Sequence, residues 1–118
     1  MNIKERNDAL NELVKKGEIV AAVEQFFAED VKTFDYGGSK TESKAEMVDK
    51  MKSFAGNIET VHEITFHGSW VEDDTSISDF HFRFTMKDGS KIDWHELIKR
   101  TWNTDSGMVI AEEYFQAI

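Results

Sequence analysis

The sequence predicts an α+β domain, helical early and sheet-forming late. Three observations carry this. Apolar residues recur at helical spacing in three stretches before Gly56, the apolar period becomes two from Ile58 onward, and turn signals at Asp73-Asp74, Asp88-Gly89 and Asp105-Ser106-Gly107 cut the second half into strand-length pieces. A chain of 118 residues, 40% hydrophobic and 12% aromatic, supplies enough apolar surface for a core, so one domain over residues 1–118 is expected.

The first helix sets Ile3, Leu10, Leu13 and Val14 on one side. It stops at Gly17, after Lys15 and Lys16, whose charge suits a helix C-terminus. A short second helix places Ile19, Ala22, Val23, Phe26 and Phe27 at i, i+3, i+4, i+7 and i+8, a wide apolar stripe. Val31 to Tyr36 reads as extended and ends at Gly37-Gly38-Ser39. Ser43 and Glu46 have the spacing of a capping box ahead of Met47, Val48, Met51, Phe54 and Ala55, and Gly56-Asn57 closes this third helix. Ile58 to Val71 is rich in β-branched and aromatic residues, with Gly68 marking a bulge or bend. Ile77 to Met86 and Lys91 to Trp102 alternate strictly around Asp88-Gly89, a hairpin signal, and Met108 to Phe115 is the last strand. The element order is α-α-β-α-β-β-β-β.

Composition narrows the chemistry. Zero cysteine excludes a disulfide scaffold, a zinc–thiolate site, an iron–sulfur cluster and a thiol nucleophile. A net charge of −9 disfavours nucleic acid and anionic membranes as partners. No apolar run approaches the roughly 20 residues of a membrane span. The start, Met1-Asn2-Ile3-Lys4-Glu5-Arg6, is charged and unlike a signal peptide, so a cytoplasmic protein is expected. His62-Glu63, His67 and His95-Glu96 have no known ligand spacing, and the glycines form no phosphate loop. Neither a metal nor a nucleotide cofactor is therefore expected. Carboxylate, imidazole and guanidinium groups remain as candidate agents.

The hairpin register sorts those groups. With Asp88-Gly89 as a two-residue turn, Arg83 faces Trp94, His81 faces Glu96 and Asp79 faces Ile98. One face then carries Asp79, His81, Arg83, Trp94, Glu96, Arg100 and Trp102, and the other carries Phe80, Phe82, Phe84 and Met86. A one-residue bulge at the turn would change this assignment. Both faces hold large apolar groups, which suggests helices on one and a second subunit on the other. The mixed face reads either as a small-molecule pocket or as a solvated face with cross-strand ion pairs.

Phe27-Ala28-Glu29-Asp30-Val31-Lys32-Thr33-Phe34-Asp35, then Gly38-Ser39 and the helix from Ser43, resemble the F-A-x-D segment, short strand and capped helix of the SnoaL-like, ketosteroid-isomerase-like group of the nuclear-transport-factor-2-like superfamily. Gly107 to Ile110 and Glu113-Tyr114-Phe115 resemble its terminal strand. The resemblance implies a cone, that is, a bent antiparallel sheet wrapped around three N-terminal helices (a cystatin-like α+β barrel) with a pocket at its wide end. It also implies a homodimer packed sheet to sheet, with Phe80, Phe82 and Phe84 as the dimer face.

Asp35 stands where the steroid isomerases of this group hold their general base, while Leu10 and Ile98 stand at the positions of their oxyanion donors. The implied function is binding of a small hydrophobic or carbonyl-containing molecule, with cofactor-free acid–base isomerisation, cyclisation or dehydration. The alternative is a non-catalytic ligand-binding or dimerisation module. The catalytic candidates are Asp35, His81 and Arg83, and the substrate-binding candidates are Asp79, Trp94, Glu96, Trp102 and Tyr114. Asp35 reads equally as a turn aspartate bonding the backbone near Gly37-Gly38, and His81 as a structural partner of Glu96.

Overall fold

The computed structural model describes residues 2–117; Met1 and Ile118 lie outside the described residues. Helix α1 spans Ile3–Lys15 and α2 spans Ile19–Phe26. Strand β1 (Phe27–Phe34) follows without a break, then β2 (Lys40–Thr41), α3 (Lys44–Gly56), β3 (Ile58–Glu72), β4 (Thr75–Met86), β5 (Lys91–Asn103) and β6 (Met108–Gln116). Asn2 caps α1 by accepting from the Glu5 N–H at 3.1 Å, and Ser43 caps α3 by accepting from the Glu46 N–H at 3.2 Å. Glu46 returns its bond to the Glu42 N–H, one residue before the position a capping box uses. At the end of α1, Gly17 takes φ +78°, and the next amide, of Glu18, reaches back to Leu13 at 2.9 Å.

The six strands form one sheet in the order β2-β1-β6-β5-β4-β3. The α+β class holds, but the cone or barrel is corrected. β2, only two residues long, ends one edge and β3 ends the other, and no ladder joins them. The sheet is therefore open, neither closed nor strongly curled. It is also mixed, since β1 runs parallel to β6 while the other pairs are antiparallel. Gly68 marks a bulge in β3 as the sequence suggested, with φ +151° and a register shift between Phe66 and Gly68.

The β4–β5 hairpin differs from the two-residue turn by one position. The Met86 N–H bonds to Ser90 and the Gly89 N–H returns to Met86, leaving Lys87-Asp88-Gly89 as a three-residue loop with Gly89 at φ +87°. This is a turn plus a bulge glycine. The register becomes Arg83 opposite Asp93, Phe82 opposite Trp94, His81 opposite His95 and Phe80 opposite Glu96. A slip of one residue exchanges the faces. Phe80, Phe82, Phe84 and Met86 accordingly join Leu10, Val14, Val23, Phe26 and Met47 in the core between helices and sheet. They are not a dimer face. Asp79, His81 and Arg83 turn to the opposite, outer face.

Candidate active site

Between the helices and the inner face of the sheet lies a cavity of about 580 Å³. Its walls are mainly apolar, with Leu10, Val14 and Val23 on the helical side and Phe82, Trp94 and Ile98 on the sheet. Trp94 stacks on Phe54 of α3, with ring centroids 5.7 Å apart. The exposed side chains of Tyr36, Ser53, Asn57 and Val61 are also among the lining and form its rim. This volume is in the range of small-molecule sites.

The polar groups gather at the sheet side. Strand alternation brings Glu96, Ile98 and Arg100 of β5 to one face, and pairing sets Tyr114 opposite Ile98 and Glu112 opposite Arg100. Arg100 is almost fully buried, and its Nε donates to Glu112 Oε2 at 3.0 Å. Its Nη1 donates to Asn11 at 2.7 Å and Asn7 at 3.1 Å, so two α1 side chains hold the guanidinium. The Tyr114 hydroxyl donates to the other Glu112 oxygen. A buried ion pair of this kind is tolerated when further hydrogen bonds back it, here from Nη1 to the two asparagines and from Tyr114 to Glu112.

Asp35, at the end of β1, lies at the mouth. Its Oδ1 accepts from the Gly37 N–H at 2.8 Å and the Ser39 N–H at 3.3 Å, and its Oδ2 accepts from Lys50 Nζ at 3.2 Å. Burial pushes this carboxyl upward, but the Gly37 amide, the Lys50 ammonium and the Ser39 amide together hold it below the usual aspartate value. The turn-aspartate alternative describes this geometry. The carboxylate is stabilised in place and is a weak base.

Glu96 is the opposite case. The cavity's charged lining comprises Lys50 and Arg100 against Asp35, Glu96 and Glu112, one carboxylate more than the cations balance. Lys50 pairs with Asp35 and Arg100 with Glu112, so Glu96 is the one left over. It is 8% exposed. Burial, then the nearby Glu112 charge, push it up to about 7, against partial relief from the Tyr36 hydroxyl. Burial and the neighbouring Glu112 likewise raise Tyr114 well above the ordinary tyrosine value, so it remains a donor.

The sequence candidates therefore divide. Asp35, Trp94, Glu96 and Tyr114 meet at the cavity. Trp102 is buried beyond it, with its indole N–H donating to Ser76 at 3.0 Å. His81 bonds Asp93, Arg83 lies 3.5 Å from Glu63, and Asp79 bonds His95 at 2.6 Å, all on the outer face. The hairpin register misassigned these three. Lys50, Asn7 and Asn11 were not anticipated. Asn7 and Asn11 did leave a signal, being polar residues four apart on the apolar stripe with Ile3, Leu10 and Val14.

No family model matches the chain, and no curated protein matches it. Solved structures do. A protein of Mesorhizobium loti, proposed to be a SnoaL-like polyketide cyclase, aligns over 98% of this chain and 99% of its own with a TM-score of 0.86 at 24% identity. An NTF2-like protein of unknown function from Burkholderia pseudomallei aligns over 99% and 92% with a TM-score of 0.78 at 13% identity. A Catenulispora acidiphila protein with a ketosteroid-isomerase-like fold, solved with trimethylamine, aligns over 84% and 75% with a TM-score of 0.70 at 13% identity. At these identities it is the fold that is shared, and the chain has the fold of the SnoaL-like and ketosteroid-isomerase-like proteins of the nuclear-transport-factor-2-like superfamily.

Proposed function

We propose that the cavity binds a small, mainly apolar molecule carrying a carbonyl and that Glu96 transfers a proton on it. The observation that carries this reading is the uncompensated carboxylate in an otherwise charge-balanced apolar cavity. A group that titrates near neutral pH serves as base and then as acid within one turnover. Abstraction of a proton beside a carbonyl by Glu96, followed by return to another atom, accounts for isomerisation, cyclisation or dehydration without a cofactor. Asp35 and Lys50 act at the mouth, as an ion pair that fixes the Asp35–Ser39 turn. Trp94 and Phe54 supply the flat apolar wall.

Deuterium exchange into 2-tetralone, a ketone of suitable size, tests proton abstraction whatever the natural reaction is. NMR in D2O should show exchange accelerated by the wild-type protein, rising with pH through about 7. Glu96→Gln should lower the rate by about 100-fold or more, and Arg83→Ala, on the outer face, should leave it unchanged. Exchange at the buffer rate, with the ketone bound as judged by Trp94 fluorescence quenching, would exclude the catalytic role.

A second reading, a non-catalytic ligand carrier, draws on Tyr114. Its hydroxyl is committed to Glu112, and Leu10 and Ile98 are apolar walls, so few free donors face a developing oxyanion. Homodimerisation also belongs to this proposal, now through the outer face. There Trp70 and Ile77 are paired across β3 and β4, and Leu97 and Phe115 across β5 and β6.

A further inference from the structure

Three of the chain's four histidines meet on the outer face of the sheet. The rings of His67 and His95 lie 5.4 Å apart, and those of His81 and His95 lie 5.6 Å apart. His81 is committed to Asp93, with Glu63 on its other nitrogen at 3.8 Å. His67, Asp79 and His95 form a tighter set, in which one ligand atom from each lies within 4.8 Å of the others. Asp79 and His95 are half-buried, which limits their rotamers, and His67 is exposed.

The three residues come from three adjacent strands, β3, β4 and β5. Asp79 is opposite Leu97, so His95 is its diagonal neighbour on the same face, within reach of an imidazole. His67 reaches that face through the β3 bulge. The register there passes from Phe66 opposite Phe80 to Gly68 opposite Asp79, leaving His67 as the extra residue. Gly68, at φ +151°, permits the local backbone path. Bulges of this kind re-aim a side chain. Spacing along the chain does not register such a set, because its members are neighbours only across strands.

We propose that His67, Asp79 and His95 form a binding site for a first-row divalent cation of the Zn2+ type. Two imidazoles and a carboxylate suit such ions, and three protein ligands leave coordination open to water. In a tetrahedral site with bonds of about 2.0–2.1 Å, ligand atoms are about 3.3 Å apart. The present set lies within 4.8 Å, so binding would require side-chain rotation to close that spacing and the 2.6 Å His95–Asp79 contact to open slightly. The bound ion would clip three strands together at the centre of the outer face. Glu96 faces the cavity on the other side of the sheet, so the site is independent of the proton transfer proposed above, although it shares its face with the proposed dimer contact.

The test is Zn2+ titration by calorimetry on the untagged full chain after EDTA treatment and dialysis. One ion per chain with a dissociation constant in about the micromolar range or tighter is expected. His67→Ala and His95→Ala should each weaken binding by about tenfold or more, and His62→Ala, at a histidine outside the set, should leave it unchanged. Thermal unfolding should shift upward with Zn2+ in the wild type and not in His95→Ala. Should an alanine variant fail to fold, Cu2+ electron paramagnetic resonance on the wild type decides, since two imidazoles impose nitrogen hyperfine structure. Absence of binding, binding indifferent to His67 and His95, or a Cu2+ spectrum without nitrogen coupling overturns the proposal.

Discussion

Glu96 costs the folded state stability whenever it is ionised. Its folded value of about 7 lies above the 4.5 of an ordinary glutamate, so between these limits the native chain holds a proton that the unfolded chain has released. Stability from this group is full below the unfolded value and is lost as pH rises through about 7. The difference corresponds to about 3 kcal/mol. Glu96→Gln keeps the shape and removes the titration. Denaturant unfolding should show the wild type losing about 2–3 kcal/mol relative to Glu96→Gln between about pH 5 and pH 8. Parallel pH profiles for the two proteins would mean that Glu96 is solvated. Asp35 has the opposite sign, because its lowered folded value makes its contribution present above the ordinary aspartate range and lost only in stronger acid. One carboxylate is therefore available for proton transfer at neutral pH, and the other holds a turn.

At the scale of elements, Arg100 is the strut between α1 and the sheet. It binds Asn7 and Asn11 of the helix and Glu112 of β6 from its place on β5. Arg100→Met leaves the Glu112 carboxylate buried without its cation, and urea unfolding should show a loss of about 3–5 kcal/mol. Pairing it with Glu112→Gln should recover part of that loss, which a purely steric defect would not allow. Most elements were legible in the sequence because periodicity, caps and turn residues agree at each of them. The hairpin faces were not. Asp88-Gly89 is compatible with two-residue and three-residue loops alike, and only the backbone bonds of Met86 distinguish them. That single residue of register moved His81, Arg83 and Asp79 out of the site and Phe80, Phe82 and Phe84 into the core. Glu96 faces inward as its strand alternation predicts, whereas His81, its expected partner, faces outward. The parallel β1–β6 pairing and the open edges were illegible for another reason, since strand neighbours distant in sequence leave no local signal.

For the whole molecule, the outer face of the sheet decides the state of assembly. Trp70 is 62% exposed and Phe115 46%, on a face where Leu97 is half-buried and Ile77 is exposed. The pairing makes these residues contiguous, because Trp70 is opposite Ile77 while Leu97 lies between Asp79 and Phe115 in the next row. A second copy laid on this face by a two-fold axis would cover the same patch on both chains. The net charge of −9 opposes association, but part of the charge on this face is paired across strands, with Lys99 opposite Glu113 and Arg83 opposite Asp93. Repulsion therefore acts at longer range and is screened by salt, whereas apolar burial is not. Light scattering should give twice 13.6 kDa for the wild type, with dissociation weaker at about 0.5 M salt than at about 0.05 M. Trp70→Glu should lower the mass to one chain while circular dichroism stays native, since an exposed edge-strand side chain contributes little to the core. A single-chain mass for the wild type at about 100 μM would leave this face to solvent and remove the dimer from the proposal.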